Sequence, residues 1–292
     1  MGNSSENKMK LSLVIRGRDN YKGRNNYESS MYINAGRYCI YRHIKNFREL
    51  GLSNDDVEIV FVDWGSNNSI RELFDIDGYG FIRYIIVPKE IAQKYNPETG
   101  FDFVRSINVG LVRAKGENLL HIDMDTFMET SSMKKLWYYL DDPVCKNRQH
   151  YFRRFEITQK WFSQLFGNPD IIPGNLSKKY NFPKNYNVKP KDFTGDSAAV
   201  MVSKEALHMV CGYDETLVYW GWQDWDLFNR LYYKGYKGHE LYNSHKVTLL
   251  HLEHSRSNPI PNKTPNLEPP IIFNPTGPNW GLKNMDFEEI IV

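Results

Sequence analysis

Leu119-Leu120-His121-Ile122-Asp123-Met124-Asp125-Thr126 decides how this chain is read. An apolar run stops abruptly at two carboxylates one residue apart. If the run is a buried strand, its period of two turns Asp123 and Asp125 to the same face. Two anions held that close repel each other unless a positive group sits beside them. A divalent cation that also meets phosphate oxygens is the usual solution. Alone, the pattern reads more readily as a strand running into an acidic, solvated turn. The rest of the chain decides between the two.

Upstream, residues 11–15 read as a short buried strand that breaks into a polar loop over 16–30. Residues 31–50 carry Ile33, Ile40, Ile44 and Phe47 at helical spacing, with Ser29 or Ser30 as cap and Gly51 as stop. A second strand over 57–62 ends in the turn-rich Asp63-Trp64-Gly65-Ser66-Asn67-Asn68. A short helix over 70–74, a third strand over 81–87 and a helix over 103–114 follow, the last closed by Gly116. Such alternation predicts an α/β fold with a mostly parallel sheet and helices on both faces. Ligands in these sheets bind beyond the carboxyl ends of the strands. Three strand ends carry polar signatures there: 16–19, with Arg16 and Asp19, then 63–67, then 123–125.

Downstream, residues 141–195 mix Pro, Lys, Asn and aromatics without clean periodicity and read as an irregular insertion beside the site. A strand over 197–202 and a short helix over 204–210 precede Trp220-Gly221-Trp222-Gln223-Asp224-Trp225-Asp226-Leu227-Phe228-Asn229-Arg230-Leu231. From Asp224 to Lys234 this is a helix closed by Gly235, with Phe228, Leu231 and Tyr232 as its expected inward stripe. Asp224 lies one turn before Phe228 on that stripe. Asp226 is rotated about 200° away and reaches Arg230. Asp224 is therefore the acid expected to point inward, and Asp226 the structural one. A carboxylate facing inward at a helix start is costly unless it meets water, ligand or backbone NH groups; capping is the competing explanation. A last strand over 247–250 runs into His251 and His254, a His-x-x-His near the diacid in a metal-ligating residue type. The Pro- and Asn-rich tail, 258–292, reads as wrapping the surface or disordered, with Asn279-Trp280-Gly281 as an anchor.

A chain of 292 residues suffices for one large α/β domain or two small ones. Its net charge of +2 supplies no field for nucleic acid. Cys39, Cys145 and Cys211 form no Cys-x-x-Cys pair, so neither a zinc site nor a disulfide framework is indicated. No apolar run reaches the roughly 18 residues a membrane span needs, and residues 1–10 lack the apolar stretch of a signal peptide. The expectation is a soluble, cytoplasmic protein.

With these pieces in order, the chain resembles a GT-A glycosyltransferase over roughly residues 10–257. Its first half looks like the large inverting family two: residues 14–19, the Val62-Asp63-Trp64-Gly65-Ser66-Asn67 loop, Arg105 and Asn108 ahead of Ala114-Lys115-Gly116, and Asp123-Met124-Asp125. The second half is similar to the animal β-galactosyltransferases and to bacterial chondroitin-polymerase-like enzymes. There Trp220 to Arg230 resembles the Trp-Gly-x-Glu-Asp-x-Asp-x-Phe-Asn-Arg helix start, and His251 to Arg256 the stretch that holds a metal-binding histidine. The resemblance implies a Rossmann-like GT-A domain over 1–257 and a separate tail. It implies that Asp63 faces the nucleotide base, Asp123 binds ribose or metal, and Asp125 ligates the metal with His254 and, as an additional ligand, His251. Arg16, Asp19, Arg105, Asn108, Trp222 and Gln223 would complete the nucleotide-sugar site, with Asp224 as general base. Gln223 stands where the family has Glu, and Trp64 where its loop has Asp.

Charge then dictates the chemistry. Breaking the bond between a sugar C1 and a diphosphate builds negative charge on the leaving oxygens, which a divalent ion neutralises. Mn²⁺ suits a mixed carboxylate and imidazole set better than Mg²⁺. Asp224 would take the proton of the attacking hydroxyl. One base without a second carboxylate nucleophile implies inversion. The implied partners are a nucleotide-sugar donor, UDP-linked by resemblance, and a glycan, polypeptide or small-molecule acceptor; a homodimer is compatible. Three rival readings fit these residues less well. A haloacid-dehalogenase phosphatase needs Thr or Val where Phe127 stands. A sugar-nucleotide pyrophosphorylase needs a Gly-rich basic loop that 16–20 does not supply. A silent sugar-nucleotide-binding module would not need Asp224.

Overall fold

Alternation along β1 (Leu11–Gly17) explains the layers of the molecule. Leu11, Leu13 and Ile15 pack against one face and Val14 against the other, and all four are fully buried, so the strand is covered on both sides. The computed structural model describes residues 8–19, 26–157, 199–219, 221–252 and 277–292. Over these, β1 pairs in parallel with β2 (Val57–Trp64) and β4 (Asn118–Ile122), and β2 pairs in parallel with β3 (Ile82–Val87). One face is covered by α1 (Asn26–Glu49), through Ile33, Ile40, Ile44 and Phe47, together with α2 (Ile70–Phe74). The opposite face is covered by α3 (Lys89–Tyr95) and by α4 (Phe103–Arg113), through Val104, Ile107 and Leu111.

Further strands widen this parallel centre. With β5 (Thr126–Phe127), β6 (Arg148–Tyr151), β7 (Arg153–Ile157), β8 (Ala199–Ser203), β9 (Lys237–Glu240), β10 (Thr248–Leu252) and β11 (Glu288–Ile291), the large sheet runs β11-β3-β2-β1-β4-β8-β6-β9. A small sheet, β5-β10-β7, lies beside it. The remaining helices are α5 (Thr130–Tyr139), α6 (Lys204–Met209), α7 (Gln223–Tyr233) and α8 (Leu241–His245). Among the described residues no helix is long and apolar enough to cross a membrane.

Gly110 fixes how closely α4 approaches the sheet. A Cβ there would sit 2.5 Å from Val14 Cγ1 and 2.9 Å from Val62 Cγ2. Both neighbours are buried β-branched side chains with little freedom to move. Gly→Ala inside a helix normally gains up to about 1 kcal/mol; here overpacking reverses the sign. Gly110→Ala is expected to lose about 1–3 kcal/mol of unfolding free energy, read from the midpoint of a urea transition.

Several sequence expectations change. Helix α1 begins at Asn26, inside the expected loop. Strand β4 stops at Ile122, so Asp123 and Asp125 lie in a turn closed by a Thr126 N–H to Asp123 carbonyl bond of 3.1 Å, and the period of two does not reach them. The expected irregular insertion begins with ordered pairing: β6 joins the large sheet and β7 the small one. Its residues 158–195 lie outside the described residues, as do 258–276 of the expected tail. The end of the tail is built in: Trp280 is buried and β11 pairs antiparallel with β3.

Candidate functional site

The carboxyl ends of β1 and β4 form the floor of the site. Arg16, near the end of β1, donates from Nη1 to Asp123 Oδ1 at 2.9 Å and from Nε to the Phe103 carbonyl at 3.1 Å. Its guanidinium also stacks 5.5 Å above the Phe103 ring. Asp123, just past β4, is thus held by a cation from the neighbouring strand.

Asp224 reaches the same floor from the other side. It occupies the first turn of α7, whose N-terminal dipole favours a carboxylate. The hydroxyl of Tyr213 is hydrogen-bonded to Asp224 and feels the charges of Arg16 and Asp123 as well; burial first, then Asp224, drives the phenol well above its ordinary range. The same hydroxyl lies 3.2 Å from His121 Nδ1, with the two rings edge to face. His121 sits on β4, buried; burial, followed by Arg16, lowers its pKa to about 3, so the ring is neutral. Arg16, Asp123, His121, Tyr213 and Asp224 therefore form one cluster. Sequence reasoning missed His121 and Tyr213. The available signal was a lone imidazole inside the apolar run and a Tyr beside Gly212.

Helix α7 is anchored by ions rather than by the expected aromatic stripe. Its buried residues are Asp226, Leu227, Arg230 and Leu231, whereas Phe228 is half-buried and Tyr232 is 60% exposed. Arg230 donates to Asp226 Oδ2 at 2.9 and 2.7 Å and to the carbonyls of Val210 and Gly212 at 2.8 Å each. The expected Asp226–Arg230 contact is there, but it faces the core. It straps α7 to the turn that carries Tyr213. Trp222 caps the helix in the left-handed region, φ 71°, with Gly221 before it also at positive φ. A bulky residue held there is strained, and Trp222 is 39% exposed. Gln223 donates to the Tyr219 carbonyl.

Asp125 and His251 meet separately from this cluster. Their Oδ1 and Nε2 lie 3.4 Å apart with both side chains largely buried, and the Asp125 carbonyl accepts from Leu252 N–H at 2.9 Å. His251 lies within β10, not beyond it. His254 lies outside the described residues. No group of three His, Cys, Asp or Glu side chains able to hold a metal occurs among the described residues. The pair supplies one carboxylate and one imidazole.

The other expected ligand-binding residues are engaged by the protein. Asp19 accepts from the backbone N–H groups of Asn67 and Asn68 at 3.0 and 2.8 Å, tying the loop after β1 to the loop after β2. Asp63 is 1% exposed and accepts from Ile70 N–H at 3.0 Å; burial pushes its carboxyl up, against the hydrogen bonds from Ser66 and Ile70. Arg105 is bound to Glu215 and Asp102. Asn108 accepts from Tyr213 N–H at 2.9 Å and donates to the Tyr213 carbonyl at 2.9 Å and to Glu215 at 3.0 Å. Asn108 therefore grips the backbone of Tyr213 on both sides.

Comparisons with known proteins agree with this architecture. Residues 179–255, a minority of the chain, match a family model described as the N-terminal domain of galactosyltransferase. No curated protein matches. Among solved structures, S. aureus TarS residues 1–349 in complex with UDP is similar at 13% identity and TM-score 0.50, covering 84% of this chain and 61% of that one. The same protein in complex with UDP-GlcNAc is similar at 14% identity and TM-score 0.47, covering 85% of this chain and 60% of that one. The chain spans about three fifths of the length of these structures. The shared architecture is the GT-A fold.

Proposed function

We propose that this chain is a metal-dependent inverting glycosyltransferase that moves a sugar from a nucleotide-diphosphate sugar to an acceptor hydroxyl. The observation that carries this reading is the convergence of Asp123, beside β4, and Asp224, on α7, around Tyr213. The family match and the GT-A likeness support it, and the UDP and UDP-GlcNAc held by TarS support a UDP-linked donor.

In this reading Asp224 takes the proton of the acceptor hydroxyl as it attacks C1. Arg16 keeps Asp123 oriented for the ribose, and Asp63, near the end of β2, serves the base beside the loop that Asp19 stiffens. Without a second carboxylate nucleophile the displacement is single and inverts the anomeric carbon. A divalent ion, Mn²⁺ before Mg²⁺, fits a carboxylate–imidazole pair; Asp125 and His251 would hold it, with His254 as a further donor. When bound, it neutralises charge on the diphosphate.

A panel of nucleotide sugars tested for Mn²⁺-dependent hydrolysis and transfer checks the reading. At least one UDP-sugar is expected to be consumed, and consumption of none overturns the assignment. Asp125→Ala is expected to weaken Mn²⁺-dependent donor binding by at least the roughly 10–100-fold that losing a residue supporting a metal ligand costs. Unchanged metal-dependent binding in calorimetry would remove Asp125 from the ligand set.

A further inference from the structure

The geometry points to Tyr213 and His121 as positioning residues for Asp224: Tyr213 gives its single proton to the Asp224 carboxylate, and His121 Nδ1–H fixes that direction. This role rests on the reading of Asp224 as base. The argument is one of counting protons. A phenol carries one proton and accepts on its oxygen lone pairs. Tyr213 is fully buried, and its hydroxyl meets Asp224 and His121 Nδ1, the latter at 3.2 Å. An ionised carboxylate only accepts, so the phenol proton goes to Asp224. The oxygen must then accept from His121, which requires the proton on Nδ1. His121 Nε2 is left unprotonated, and it is buried with no hydrogen-bond partner.

That orphaned nitrogen is a cost without a local structural return. No tautomer satisfies it, because it has no partner; an unprotonated Nε2 buries a bare acceptor, whereas an Nε2–H would bury an orphaned donor, the rarer case. The same choice puts the proton on Nδ1, in agreement with the direction that the phenol requires. With Nδ1 occupied by a proton, the Tyr213 O–H cannot swing back to the imidazole. Asp224 then keeps one permanent donor, and its carboxylate plane is fixed relative to an incoming hydroxyl. The supports for Tyr213 agree with this purpose. Asn108 holds its N–H and carbonyl, and Arg230 holds the Gly212 carbonyl next to it. A core tyrosine packed only for volume needs no such grip on its backbone.

The test combines turnover with imidazole NMR on the full chain. Tyr213→Phe keeps the ring and removes the hydroxyl. It is expected to lower kcat about 10-fold with the donor KM unchanged, since a hydrogen bond to a charged group is lost. The donor from Tyr213 favours the ionised carboxylate, so the acidic limb of the kcat profile should move up by about one pH unit in this variant. His121→Leu should reproduce part of the loss, and His121→Asn, whose amide NH₂ stands near Nδ1, should restore it. Thermal unfolding of each variant separates folding from turnover. Carbon and nitrogen shifts of His121 should report the Nδ1–H tautomer in the wild type. An Nε2–H tautomer overturns the inference whatever the activity. Wild-type kcat and pH profile in Tyr213→Phe, beside an inactive Asp224→Asn, overturn the positioning role alone. Full turnover by Asp224→Asn removes the base assignment and the role together.

Discussion

Asp224→Asn is expected to lower kcat by about 10²–10⁴-fold, the usual worth of a positioned general base, while the variant still binds its nucleotide-sugar donor. The substitution is nearly isosteric. Its amide oxygen still accepts from the Tyr213 hydroxyl, so the hydrogen bond that joins Asp224 to Tyr213 is preserved. What disappears is the ability to take a proton. The neighbouring acid behaves differently. Asp226 is buried against Arg230 at 2.7 Å, and Asp226→Asn should act through stability, with kcat of the folded fraction little changed. Donor binding by calorimetry and transfer by product analysis, run on both variants, separate the roles. Loss of donor binding in Asp224→Asn would remove Asp224 from the acceptor side, and unchanged kcat would remove it from the chemistry.

The alternation that led to the fold was legible because buried parallel strands are apolar runs. Residues 11–15, 57–62 and 119–122 announce themselves by burial on both faces. The short elements were not legible. β6 reads Arg-Gln-His-Tyr, β9 reads Lys-Gly-His-Glu, and β11 reads Glu-Glu-Ile-Ile, each paired through its backbone on sheet positions that other strands create. Helix α7 misled for a physical reason. Periodicity counts apolar residues, whereas its core face carries an ion pair, and its aromatic Tyr232 is mostly exposed. The opening pair departs from the geometry that a period of two predicts. Strand β4 ends one residue before Asp123, so the two acids part company, Asp123 to Arg16 and Asp125 to His251. The Tyr213–His121 contact joins residues 92 apart, which no local pattern encodes.

Arg230→Met should be the most damaging single change to the fold itself. Arg230 and Asp226 are 1% and 3% exposed, so their attraction is little screened by solvent. Removing one partner of a buried pair leaves the other charge stranded, which costs about 3–5 kcal/mol. The Val210 and Gly212 carbonyls also lose their donor. Against a typical stability of about 5–15 kcal/mol, that loss brings the chain near its unfolding threshold. The double variant Asp226→Leu with Arg230→Met removes the stranded carboxylate and should recover much of the loss, because an apolar replacement of similar volume is tolerated where a lone charge is not. It should not recover turnover to the same degree, since the strap between α7 and the turn carrying Tyr213 stays cut. Urea transitions with a constant slope measure the first part, and kcat of the folded double variant the second. A single variant within about 1 kcal/mol of wild type, less than the spread of ordinary substitutions, would show that the pair does not hold α7. Full kcat in the double variant would show that Asp224 and Tyr213 keep their register without the strap.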